Sequence, residues 1–161
     1  MNRRILTMAL LCLAGVSAAV FPKVSFAQSN PWIGTWKLNV AKSIFSPGQG
    51  PRSRTVTYQA EGQGLKAIIE AIRAQGSPNN EVLMVWDDGK SHPVADNPGY
   101  DAAAFKRVND ATIWGIRTKT GKVVQTIISV VSADGKTETV TQTGVTADGR
   151  QLYNVLVSEK Q

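Results

Sequence analysis

Trp32-Ile33-Gly34-Thr35-Trp36-Lys37-Leu38 is the stretch on which the fold of this chain turns. Trp36 stands two residues after Gly34, at the head of an alternating apolar and polar run. Alternation with a period of two is the pattern of a β-strand with one buried face. A glycine lets the backbone pass close to another segment, and the indole that follows can then plug one end of a sheet.

Downstream, the turn signals are regular. Residues 53–60 alternate, with Val56, Tyr58 and Ala60 on one face and Thr55, Thr57 and Gln59 on the other. Glu81 to Trp86 is an apolar run that ends at Asp87-Asp88-Gly89, and Ser91 to Ala95 is a short run before Asp96-Asn97-Pro98-Gly99. Five more strand-length runs follow: 101–108, 112–118, 122–132, 136–145 and 150–157. Asn109-Asp110, Thr120-Gly121, Asp134-Gly135 and Asp148-Gly149 separate them. Asp-Gly between alternating runs is a strong hairpin signal. Ser132-Ala133-Asp134-Gly135-Lys136 returns as Thr146-Ala147-Asp148-Gly149-Arg150, one hairpin arm later, so successive strands should be antiparallel neighbours in a meander. Ala41 to Pro51 carries Ser46-Pro47-Gly48-Gln49-Gly50-Pro51 and reads as a loop. Counting 91–95 as a strand gives ten, with eight as the alternative if runs merge. An even number lets the first and last strands of an up-and-down barrel meet antiparallel.

Gly34-x-Trp36 resembles the signature that opens the first strand of lipocalins. The longer run Gly-Thr-Trp-Lys-Leu-Asn, followed by Ser43-Ile44-Phe45-Ser46-Pro47-Gly48, is similar to the bacterial secreted lipocalin-like (calycin-type) proteins. The resemblance implies a single all-β, antiparallel up-and-down barrel of about 8–10 strands spanning residues 28–161. It also implies that the 41–51 loop folds over the open end, and that a basic residue from the C-terminal end lies across Trp36. Lys160 is that residue by position. Ile33 to Asn39 is then expected to pair with Leu152 to Ser158. One segment divides the two readings. Leu65, Ile68, Ile69 and Ile72 have helical spacing, whereas the resemblance places a strand there; strand is the reading adopted.

Residues 1–27 read as a signal peptide. Arg3 and Arg4 are basic, Ile5 to Val20 is uncharged and apolar, and Ser25-Phe26-Ala27 offers small residues before Gln28. The apolar run is shorter than the roughly 20 residues of a spanning helix, so stable membrane insertion is not expected, and the product should be periplasmic or extracellular. Cleavage would remove Arg3, Arg4 and Lys23, leaving 15 basic against 12 acidic residues of the 18 and 12 in the full chain. A charge of +3 spread over the domain is a solvated surface rather than a nucleic-acid footprint. Cys12, the one cysteine, lies inside the apolar leader.

His92 is the one histidine. A zinc site wants three or four ligands, and a serine triad wants a nucleophile elbow that the chain lacks. No metal, cofactor or catalytic residue is therefore expected, and His92 reads as a rim residue. Asp87 and Asp88 read as turn residues. The aromatic residues are more informative. Tyr58, Trp86, Phe105, Trp114 and Tyr153 are candidates to line a pocket for a small hydrophobic molecule. Arg107 shares a strand face with Ala103 and Phe105; as a cavity residue it could pair with a ligand carboxylate, as in the fatty-acid-binding relatives of lipocalins. The expected function is non-catalytic binding of a small, largely apolar ligand. The rival readings are an interaction module such as a protease inhibitor, and a small barrel enzyme acting on a lipophilic substrate. If the leader is processed, intact-mass measurement of protein recovered from the periplasm or medium should give a chain beginning near Gln28. A full-length mass in the membrane fraction would refute export.

Overall fold

The computed structural model describes residues 30–161; the expected leader and its cleavage site lie outside the described residues. The described chain is all-β apart from one 3-10 turn. Its strands are β1 (Gly34–Leu38), β2 (Ile44–Ser46), β3 (Ser53–Glu61), β4 (Gly64–Ile72), β5 (Glu81–Trp86), β6 (His92–Pro93), β7 (Ala102–Asn109), β8 (Thr112–Lys119), β9 (Lys122–Val131), β10 (Thr137–Val145) and β11 (Gln151–Lys160). They form one curled antiparallel sheet in the order β5-β4-β3-β1-β11-β10-β9-β8-β7-β6, with β2 also on β11. Among the described residues, no helix is long and apolar enough to cross a membrane.

The contested segment is strand β4. Leu65, Ala67, Ile69 and Ala71 are buried, while Lys66, Ile68, Glu70 and Ile72 alternate to the other side. Nine ladder positions against β3 hold it in place. Pairing on both edges outweighs the helical spacing of four apolar residues, because β-strand preference is largely a matter of packing. The repeated Asp-Gly turns also share one chemistry. Asp134 accepts from the Ser132 hydroxyl and the Lys136 amide; Asp148 accepts from the Thr146 hydroxyl and the Arg150 guanidinium, while the Arg150 amide donates to the Thr146 hydroxyl.

Closure between the first and last strands differs in register from the expectation. Trp36 pairs with Lys160 and Leu38 with Ser158. The first half of β11 is taken instead by β2, with Ile44 opposite Val155 and Ser46 opposite Tyr153. The chain leaves β11 after Leu38, makes the 3-10 turn Val40–Lys42 and returns to the same edge. Asn39 holds that detour: its side chain accepts from the Lys42 amide and donates to Glu159. Part of the segment expected as a loop is therefore sheet, and β1 with β2 behaves as one interrupted strand.

The barrel is also left unzipped along one side. No ladder joins β5 to β6 or β7 among the described residues. β5 approaches β7 at its far end, where Asp87 accepts from the Arg107 backbone and guanidinium and the Gly89 amide donates to the Phe105 carbonyl. At the near end, Asn97 and Tyr100 both donate to Glu81.

The closed end is built on the opening stretch. Trp32 and Trp36 are fully buried. The Trp36 indole donates to the Trp32 carbonyl at 2.9 Å, and the Trp32 indole donates to the Asp110 carbonyl across the floor at 3.0 Å. Lys160 Nζ stands 5.0 Å from the centre of the Trp36 ring and donates to the Pro31 carbonyl. Gly34, at φ 126°, leaves room for it: a Cβ there would lie 3.0 Å from Lys160 Cε. Truncating the indole should open a cavity and cost about 3–5 kcal/mol, whereas the exposed-end cation contributes about 1 kcal/mol. In urea melts Trp36→Ala should therefore lose far more stability than Lys160→Ala; a wild-type midpoint for Trp36→Ala would show that the floor does not depend on it.

Candidate functional site

The interior is reached at the end opposite the tryptophan floor. A mouth of about 360 Å³ lies between the 45–51 segment, β3, β4 and β11. Phe45, Pro47 and Pro51 form one wall, so the segment after β1 does stand at the open end. Below the mouth is a narrow pit of about 50 Å³ that reaches Trp32, Tyr58 and Phe105. Arg54, Ile69, Arg117 and Gln142 line both spaces, so the two adjoin and together form the candidate cavity.

The pit is walled mostly by apolar side chains, whereas the lining of the mouth is mixed, with polar residues such as Gln49, Asn79 and Asn154 beside Ile69, Leu152 and Leu156. A group of polar side chains is set into these walls. Arg54 precedes Val56 and Tyr58 on the inward face of β3. Arg117 follows Ile113 and Gly115 on the inward face of β8, and Glu138 precedes Val140 on that of β10. Arg117 donates to Gln125 at 3.0 Å and stacks 4.3 Å from the centre of the Tyr100 ring. Tyr58 donates to Glu138 at 2.8 Å, and its ring meets Trp32 edge-on at 6.1 Å. Three atoms of this group are buried without a partner: Arg54 Nη1, Arg117 Nε and Glu138 Oε2. Buried polar atoms are nearly always satisfied, so two cationic donors left free beside a cavity are poised for an anion.

Burial shapes the acid–base behaviour of the group. The Tyr58 hydroxyl is held well above the usual phenol range, first by desolvation and then by the Glu138 charge beside it. Tyr100 is raised for the same leading reason, although the Arg117 guanidinium opposes the shift. Glu138 is raised by burial, against the pull of Arg54 and the Tyr58 hydrogen bond.

The sequence candidates divide. Tyr58 and Phe105 line the pit. Trp86 lies on the outer side of β5, where its ring meets His92 at 5.5 Å. Arg107 shares the inward phase of Phe105 but sits at the floor rim, where Asp87 engages it 3.3 Å away, so it does not reach the cavity. Trp114 and Tyr153 point outward and are 39% and 48% exposed. Their inward neighbours are Ile113 for Trp114 and Leu152 and Asn154 for Tyr153. Strand alternation that buries those neighbours turns the aromatic rings to solvent. Gly34, Trp36 and Lys160 come together at the floor. His92 is on the rim, with Asp88 Oδ2 2.9 Å away, and Asp88 also caps the Lys90 amide in the turn. Among the described residues there is no cluster of three or more metal-ligating side chains. Arg54, Arg117 and Glu138 were missed. Their signal was a charged residue standing in the apolar phase of an alternating strand.

The fold is an all-β, antiparallel curled sheet that forms a half-barrel, and a solved structure shares it. Zebrafish ileal bile acid-binding protein, crystallised with cholic acid, matches with a TM-score of 0.50, covering 81% of this chain and 99% of that one at 10% sequence identity. Neither a family model nor a curated protein matches the chain.

Glu138 gives the site a pH signature. Its ionised form is disfavoured in the folded state, so its contribution to stability is greatest below the ordinary carboxylate pKa and is lost as pH rises through the raised folded value. Glu138→Gln, neutral at every pH, should gain stability relative to wild type between pH 4 and pH 8 in urea melts. An unchanged difference across that range would refute a buried, strained carboxylate.

Proposed function

We propose that the protein is an exported, non-catalytic carrier that holds a small, largely apolar molecule bearing an anionic group in its barrel cavity. The observation that carries this reading is the pair of buried, unpartnered guanidinium nitrogens, Arg54 Nη1 and Arg117 Nε, beside a cavity whose deeper part is lined by apolar residues such as Ile69, Leu83 and Val140. Aliphatic walls take an apolar body, and a desolvated guanidinium takes a carboxylate or sulfonate far better than water would allow. The open volume of the mouth falls within the range typical of small-molecule sites. The bile-acid complex of the zebrafish protein supports the same general class of ligand. Export to the periplasm or medium rests on the leader-like residues 1–27.

A fluorescent long-chain fatty acid should bind saturably to the purified protein. Arg54→Met keeps the length of the side chain and removes its charge. It should weaken that probe by about 2 kcal/mol, on the order of 30-fold, and leave the matching fatty alcohol unaffected. Equal loss for acid and alcohol would assign Arg54 to packing, and no binding of either would refute the carrier.

A further inference from the structure

The side of the barrel that lacks a ladder is not sealed by other means. A groove of about 650 Å³ runs along it, bounded by β5 on one side and by His92 to Pro98 on the other. Arg73, Asn79 and Glu81 line both this groove and the mouth, and Leu83 lines both the groove and the pit. Only a thin layer of side chains therefore separates the groove from the cavity. The other boundaries are stitched by ladders, including the 44–46 wall, which is paired to β11.

Side chains fasten the groove. At the floor end, Asp87 holds Arg107. At the cavity end, Glu81 at the start of β5 accepts from the Asn97 amide at 3.1 Å and from the Tyr100 hydroxyl. Tyr100 is buried, and its ring carries the Arg117 guanidinium. The fastening at the cavity end thus touches one of the two cations that face the cavity.

We propose that the open side between β5 and β6, whose edge at Arg73, Asn79 and Glu81 is also a wall of the mouth, is the door that parts to widen the mouth when ligand enters and leaves, with Glu81 as its latch on Asn97 and Tyr100. This rests on the cavity being a ligand site. Opening the door breaks side-chain hydrogen bonds and no backbone ladder, so it is the cheapest boundary to part. The Arg117 Nε–H donates in the plane of the guanidinium, so an anion that takes it leaves the face of the group stacked on Tyr100. The occupied cavity and the closed latch are then compatible, and the latch sets the rate of exchange more than the affinity.

The test uses the full chain, leader included, with Cys12→Ser, Glu81→Cys and Asn97→Cys. The new thiols are either capped with N-ethylmaleimide, which leaves the latch broken, or bridged by a short bis-maleimide, which locks it. Stopped-flow mixing with 8-anilino-1-naphthalenesulfonate, an anionic apolar probe, reads the rates. The capped protein should take up and release the probe several-fold faster than Cys12→Ser alone. The bridged protein should do both at least tenfold more slowly than the capped protein, which carries the same two substitutions, as expected for a gate. Bridged and capped proteins with equal rates would overturn the door and leave the carrier standing. Failure of the Cys12→Ser protein to bind the probe would overturn both.

Discussion

The buried contact of Trp36 with Lys160 and with the Trp32 carbonyl is the one on which the rest of the molecule depends. Together with the β1–β11 ladder it joins three parts of the chain: the approach to the first strand, that strand, and the last residues of β11. The indole fills the narrow end, and the second tryptophan ties the floor to the β7–β8 turn through Asp110. A floor made of two indoles with satisfied N–H groups keeps water out from below. The charges higher in the interior then act in a medium where each is worth more than at the surface.

Those charges run against what a purely structural core would choose. Arg54, Arg117 and Glu138 stand at positions where the strand pattern calls for an aliphatic side chain, and each leaves an atom unpaired. An apolar replacement at such a position relieves desolvation. A fold that keeps three of them, grouped around two tyrosines and beside an open space, gives up stability in the region where it would act on another molecule.

The strands were legible because turn chemistry and alternation agree. Asp-Gly pairs mark the β9–β10 and β10–β11 turns, and Val56 and Tyr58 announce the inner face of β3. Strand β4 was legible only through the resemblance, since Ile68 and Ile72 face outward as apolar residues and blur its period. The strand β2 was hidden by the prolines and glycines beside it: Ile44 to Ser46 is three residues long, and its place is decided by a free edge of β11 that no local signal reports. The register of β1 followed from that occupancy. The candidate site is less legible, because aromatic character and strand phase point to different residues. Trp114 and Tyr153 fall on the outer phase of their strands and Arg107 at the floor rim, whereas phase alone would have singled out Arg54 and Arg117.

The interrupted strand formed by β1 and β2 bears on how the chain reaches this structure. Each hairpin from β7 to β11 joins residues close in sequence, and the last two turns are preset by Asp134-Gly135 and Asp148-Gly149. The edge of β11 that receives Trp36 and Phe45 is different: its partners lie more than a hundred residues away. Contacts at that separation carry a large loop-closure cost before they return anything. The C-terminal meander is therefore the part that can organise early, and the opening stretch has to find it afterwards. Until it does, β11 is an unprotected edge able to pair with another chain, so the interval before Trp36 is seated is the one in which this protein is most exposed to self-association.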